Sequence, residues 1–301
     1  MADSQEALRS SKNGSTDPSA AGSADAMRRG VAFVRRNGGA VLGASILMLL
    51  VLMGFFLPLP YDPVRAVPGR LFTTAPSSTH WFGTDTFAFD VFSRTVLAAG
   101  NDIPVAAVGV LISLVLGVPL GLYASAKGRT GEFLMRGVDA FQSFPILILA
   151  IAAVVLLGNE SSNVVAAIAI INVPRFMRII RSEALSIRES RYIEAAVAIG
   201  ASKGRIMFRH LLPNVTGIIL VQMSLAAANA LVIITTLSFL GIGVSPPNPT
   251  WGSMIQEGAR VLTQGHWWIA FFPSAAIFIS VAAFNLIADS SQNAIDRQER
   301  A

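Results

Sequence analysis

The chain has no cysteine, so it holds neither a disulfide framework nor a thiolate metal site. That absence says nothing about redox compartment. It is also poor in charge: 14% of its 301 residues are Asp, Glu, Lys or Arg, against about 25% in soluble globular domains. Its three histidines, His80, His210 and His266, share no metal-ligand spacing, which leaves hydrogen bonding as their ordinary role. No Gly-x-x-x-x-Gly-Lys-[Ser/Thr] phosphate loop occurs, so the chain lacks a Walker-type cradle for ATP. There is no Gly-x-Ser-x-Gly elbow for a serine hydrolase. No charge pair dedicated to proton relay stands at the centre of an apolar run, since Asp102 and Asp139 sit near run ends where they reach water.

What is present is apolar surface. The chain is 53% hydrophobic with a mean hydropathy of +0.58. Ordinary burial does not explain so few charges; a lipid-facing surface does. The net charge of +5 would suit nucleic acid, but a membrane protein needs its Lys and Arg on one side. Distribution therefore decides, and it favours a bilayer over nucleic acid.

Residues 1–27 are mostly Ser, Ala, Gly, Asp and Asn and read as a disordered cytoplasmic tail. Residues 28–301 read as one transmembrane domain. Spans are expected at about 40–59, 103–124, 137–158, 164–180, 215–243 and 267–288. The first apolar run, behind Arg28-Arg29 and Arg35-Arg36, is too long for a signal-peptide core and has no small-residue cleavage site after it. Pro145 either kinks the third span or marks its true start. Val164 to Val173 rises only about 15 Å as helix, half a hydrocarbon core, so the fourth span crosses only by continuing past Pro174 to Ile180. Trp267-Trp268 open the sixth span as interfacial anchors. With six spans and both termini inside, all but Arg65, Arg70, Arg94 and Arg260 of the 23 basic residues are cytoplasmic. This follows the positive-inside rule and argues that the short fourth span crosses.

The most basic loop lies between the fourth and fifth spans. Ala184 to Ile199 reads as an amphipathic helix, with Leu185, Ile193, Ala196 and Ile199 on one stripe. Gly200 can turn out of it at positive φ. Ser202 is a good N-cap for a second helix carrying Ile206, Met207 and Leu211, and Pro213 ends that helix or opens the next. The result is a helical hairpin over 184–213, whose small Ala195-Ala196 pair admits close approach of another surface. On periodicity alone a plain connector between two membrane helices fits as well.

Glu194-Ala195-Ala196, then Gly200, then Leu212-Pro213 resembles the EAA loop of the membrane subunits of bacterial ABC importers. Two further stretches are similar to one branch, the dipeptide/oligopeptide/nickel permeases. The first is Trp81-Phe82-Gly83-Thr84-Asp85 with Asp90-Val91-Phe92-Ser93-Arg94; that branch usually carries Gly-Arg before the Asp-Val, where this chain has Ala88-Phe89. The second is Leu237-Ser238-Phe239-Leu240-Gly241 with Pro246-Pro247 and Trp251-Gly252. The resemblance covers about residues 28–298.

It implies an all-α integral membrane protein of about six transmembrane helices with the type I importer permease fold, in the bacterial plasma (inner) membrane, both termini cytoplasmic. It implies a permease for peptides or related small solutes, not an enzyme. A second homologous permease would share the path, and one or two ATPase subunits would carry ATP and Mg. An extracytoplasmic solute-binding protein would deliver the cargo. Glu194, Ala195, Ala196, Gly200, Leu212 and Pro213 would couple to the ATPases. Gly83, Thr84, Asp85, Asp90, Pro246, Pro247 and Trp251 would meet the binding protein or substrate, or form a capped interfacial turn. The alternative is a secondary transporter driven by an ion gradient, which would be expected to carry inverted repeats and discontinuous helices; the two halves show no clear repeat. A non-transporting scaffold is a third class.

Overall fold

The computed structural model describes residues 37–67, 73–126, 128–244 and 247–299. The tail expected over 1–27, and the basic residues up to Arg36, lie outside them. Nine helices organise the described residues: α1 (Gly38–Phe56), α2 (Val91–Ala124), α3 (Arg129–Gln142), α4 (Ile146–Leu157), α5 (Ser161–Arg188), α6 (Arg191–Ala198), α7 (Lys203–Phe239), α8 (Trp251–Val261) and α9 (Trp268–Glu299). The bridge between Thr84 and Asp90 is isolated, and no strand occurs among the described residues. The fold is all-α. Five helices, α1, α2, α5, α7 and α9, are long and apolar enough to cross a membrane; α3 and α4 make a sixth crossing if the bent pair is one span.

The third span expected over 137–158, with Pro145 kinking it or marking its start, falls on that pair. α3 and α4 meet at 90°, with Pro145 as the N-cap of α4. Its ring fixes φ and offers no N–H to carry the earlier helix through. Pro174 does not have this effect in α5, which runs on for 28 residues to Arg188. α2 begins at Val91, well before the position 103 read from hydropathy. Polarity hid its first turns, because their polar groups are satisfied by other segments. Arg94 donates to the Pro63 carbonyl at 3.1 Å, and Asp102 accepts from the Trp251 N–H at 2.9 Å.

Small residues set the helix spacing. Gly109, Ser113, Gly117 and Gly121 recur every fourth residue on the buried face of α2, the small-xxx-small pattern that lets membrane helices approach closely. A Cβ at Gly117 would stand 2.7 Å from the Phe176 Cβ, and one at Gly121 would stand 2.8 Å from the Met177 carbonyl oxygen. Both neighbours belong to α5, so this seam fixes α2 against α5 at backbone distance. The main core gathers Ile103 and Val110 of α2, Ile168 and Phe176 of α5, Leu231 and Leu237 of α7, Trp251 of α8 and Phe284 of α9. A second, smaller core lies at the basic end of the bundle. α1 stays almost wholly on the outside, where Met48, Leu49, Phe55 and Phe56 are exposed.

Candidate functional site

Two regions carry the residues singled out by sequence, one at each end of the bundle. At the basic end, α5 closes at Arg188 because Ser190 turns back on it: its N–H and its hydroxyl both donate to the Ile187 carbonyl, at 3.1 and 2.7 Å. α6 then starts afresh. The single helix expected from Ala184 to Ile199 is therefore two helices broken at Glu189-Ser190, and the expected stripe does not form. Ile193 packs with Ile180, Ala184, Ile206 and Val215, and Ala196 is buried. Leu185 is exposed, and Ile199 is 86% exposed.

α6 ends in a Schellman closure. Gly200 sits at φ +82, its N–H donates to Val197 O, and the Ala201 N–H donates to Ala196 O, both at 3.0 Å. Ser202 caps α7 by accepting from the Arg205 N–H at 3.3 Å. α7 opens with one short α-turn and then a π-helical segment, Ile206–Leu211. Such a segment displaces the backbone from ordinary α-helical partners. The His210 carbonyl is held by the Tyr192 hydroxyl at 3.2 Å and the Asn214 amide at 2.6 Å, and the same amide donates to the Tyr192 oxygen at 3.2 Å. Tyr192 thus ties α6 to α7. Pro213 stands exposed in the first turn beyond the π segment, with Leu212 half-buried against the second core.

The outward face of the hairpin is not the alanine pair as a unit. Ala195 and Glu194 are exposed, whereas Ala196 is 6% exposed and faces its own chain. Val197, Ile199 and Phe208 are exposed apolar side chains among Arg191, Lys203, Arg205 and Arg209. Apolar surface rimmed by charge at the polar end of a membrane bundle is suited to a protein partner.

At the other end, residues 73–95 fold into a buried polar knot. Gly83 sits at φ +76, where a Cβ would lie 2.6 Å from the Thr74 carbonyl oxygen and 2.7 Å from Trp268 Nε1. Thr84 Oγ1 accepts from the Thr74 N–H at 2.8 Å, and the Thr84 carbonyl accepts from Trp268 Nε1 at 3.1 Å. Trp268 is thus a buried strut; Trp267 alone of the pair is exposed as an interfacial anchor would be. Asp90 caps α2, accepting from the Ser93 N–H and hydroxyl at 2.8 Å each, and also contacts His80 Nδ1 at 2.9 Å. Asp85 accepts from the Phe87 and Phe89 N–H groups at 3.0 and 2.8 Å and lies 3.6 Å from Arg94 Nε. Burial, and then the Glu257 carboxylate, push the Asp85 carboxyl up to about 7, against those two hydrogen bonds and the Arg94 charge. Glu257 of α8 in turn accepts from the Thr86 N–H at 2.9 Å and from its hydroxyl.

The knot brings Gly83, Thr84, Asp85 and Asp90 together. Trp251 joins it through α2, donating from Nε1 to the Thr95 carbonyl at 2.9 Å. All five are buried, so they shape this end of the bundle rather than offer side chains at its surface. Pro247 is exposed, and Pro246 lies outside the described residues. The sequence marks His80 as a hydrogen-bonding histidine without naming its partner Asp90, and gives no signal for Thr86 and Glu257, which meet across 171 positions of the chain.

Ala88 occupies φ +61, the one non-glycine described at positive φ. It is the position where the similar permeases usually carry glycine, and Phe89 lays its ring 4.6 Å from the Arg94 guanidinium. A Cβ in the left-handed region costs about 1–2 kcal/mol, and glycine's extra unfolded-state entropy offsets about 0.5–1 of that. Ala88→Gly is therefore expected to raise the thermal midpoint of the purified protein slightly. An unchanged or lower midpoint would show that the turn is not strained.

Comparison with known proteins gives a consistent result. Residues 113–301 match the family described as binding-protein-dependent transport system inner membrane component. The chain is 35% identical over 268 residues to the glutathione transport system permease protein GsiD of Pectobacterium atrosepticum, covering 88% of each chain. It is 37% identical over 271 residues to the dipeptide transport system permease protein DppC of Alkalihalophilus pseudofirmus, covering 87% of each. A putative peptide transport system permease protein of Brucella suis is 37% identical over 256 residues, 85% of this chain and 86% of that one.

Proposed function

The chain belongs to the family of binding-protein-dependent transport system inner membrane components, the permease subunits of ABC importers, and on that premise we propose that its cargo is a short peptide or a related small solute. The relatives named for glutathione, dipeptide and peptide transport support that class. The family supports an importer fed by a binding protein and not transport driven by an ion gradient.

In this proposal the basic end of the bundle faces the cytoplasm, with both termini on that side. The hairpin of α6 and the start of α7 docks on an ATPase subunit, which binds ATP and Mg; this chain binds neither. A second homologous permease completes the path, and an extracytoplasmic binding protein meets the opposite end around the buried knot. The observation that carries the docking role is the exposure of Val197, Ile199 and Phe208 on a hairpin built into the membrane bundle through α7. ATP binding and release would then bias a rigid-body switch between two permease arrangements.

The test is uptake into proteoliposomes holding the complex that copurifies with this chain. Peptide accumulation should require both ATP inside and binding protein outside, and should persist when an ionophore collapses ion gradients. Accumulation without ATP would refute the assignment. The absence of native cysteine makes orientation simple to read. In intact cells a membrane-impermeant thiol reagent should label Ser161→Cys and spare Lys203→Cys; the reverse pattern would invert the topology.

A further inference from the structure

The bend between α3 and α4 opens a cavity of about 360 Å³ whose walls include Phe141, Phe144, Ile146, Asn172, Arg175 and Arg178. Two guanidiniums and no carboxylate line it. Arg178 is already neutralised, its Nη2 lying 2.6 Å from Asp139 Oδ1. Arg175 has no hydrogen-bond or ion-pair partner among the described residues, although it is half-buried. It stands about 21 Å along α5 from the helix start, within a segment apolar enough to cross a membrane. A charge at that depth faces a partner or a wet cavity rather than lipid.

A second feature converges on the same space. Ile146, on the cavity wall, is the first residue of α4, and Pro145 supplies no side-chain cap. The N–H groups of that first turn have no intrahelical partner and carry the positive end of the helix dipole. A half-span that starts inside the membrane domain, beside an unpaired guanidinium, is an arrangement for an anion. The Phe141 and Phe144 rings add an apolar wall suited to a side chain carried next to that anion.

We propose that this cavity receives the free carboxylate of the transported solute, the C-terminal carboxylate of a short peptide, with Arg175 as its charged partner. The identity of the carboxylate's owner rests on the peptide-importer reading above; the anion selectivity rests on the cavity itself. Arg175 is then a specificity determinant: a planar guanidinium holds a carboxylate through two parallel hydrogen bonds, which an amide cannot accept in the same way.

Two measurements on the complex separate these. The first is equilibrium binding of N-acetylphenylalanine and of its carboxamide, with the parent, Arg175→Gln and Arg175→Lys. The parent should prefer the acid by about tenfold or more, the worth of a charge-assisted hydrogen bond. Arg175→Gln should abolish that preference, and Arg175→Lys should keep part of it at an unchanged level of assembled complex. Equal binding of acid and amide by the parent, no binding of either, or a preference that survives Arg175→Gln would overturn the proposal. The second measurement is uptake of a free dipeptide and its C-terminal amide in proteoliposomes. Acid-selective binding through Arg175 without any peptide uptake would leave the anion site standing and overturn the peptide-importer reading instead.

Discussion

An Ile199→Glu protein will reach the membrane at the parental level and come out of it without its ATPase. Ile199 is 86% exposed and packs on nothing in its own chain that the substitution would uncover. At the docked surface the new carboxylate would have to be desolvated. An uncompensated buried charge costs several kcal/mol, against roughly 8 kcal/mol for a micromolar contact. Copurification should fall by at least a hundredfold and uptake should be lost with it. Ala196→Glu is expected to fail differently. Ala196 is buried, and its carbonyl closes the α6 terminus, so a charge there should unfold the hairpin and lower the membrane level. Membrane level, ATPase copurification and uptake, measured on both variants, separate docking from folding. If Ile199→Glu keeps its ATPase and transports normally, the hairpin is a connector.

The contrast between neighbouring positions shows why part of the site was hidden in the sequence. Ala195 and Ala196 are chemically identical, and successive helical residues differ by about 100° in direction. Only the break at Glu189-Ser190 decides which of them faces out, and a single helix drawn through that break rotates every later residue. Gly200 and Ser202 were legible because turn and cap chemistry is local. The apolar runs were legible because lipid demands about 20 consecutive apolar residues. The first turns of α2 were not, since the partners that make Arg94 and Asp102 acceptable inside a helix come from Pro63 and Trp251. Sequence admits two alternatives at Pro145, because proline permits both a kink and a start. The orientation of α4 depends on packing that composition does not encode.

The knot at the opposite end provides the second large effect. Gly83→Val should abolish accumulation of folded protein, while Gly200→Val should leave a folded protein that transports poorly. Both glycines lie in the left-handed region, at φ +76 and +82, so both substitutions incur about 1–2 kcal/mol of backbone strain. At Gly200 a Cβ meets nothing within 4 Å, and strain is the whole effect: the second helix of the hairpin is mis-aimed. At Gly83 the Cβ drives into the Thr74 carbonyl and the Trp268 ring. Overpacking of that kind adds about 1–3 kcal/mol, and it dislodges the Trp268 donor from Thr84. That hydrogen bond joins the loop to the start of α9, so the loss spreads to α8 through Glu257 and Thr86. Quantifying folded protein by fluorescence-detected size exclusion distinguishes the two. Equal yields would mean that the knot is not what holds this end together.

One consequence of α7 concerns mechanics. Its 37 residues form a single rod from Lys203 to Phe239, about 55 Å long at 1.5 Å per residue. Such a rod is a lever arm: a tilt of about 5° swings its far tip through roughly 5 Å, on the scale of one helical turn. That tip is where α8 rides, with Gly252 pressed against the Thr235 carbonyl and Ser238. The π-helical collar at Ile206–Leu211, cinched by Tyr192 and Asn214, sits at the hairpin end. If the hairpin docks on an ATPase as proposed, gearing is set at the collar: a stiff one passes the stroke on, and a slack one dissipates it before it reaches the membrane.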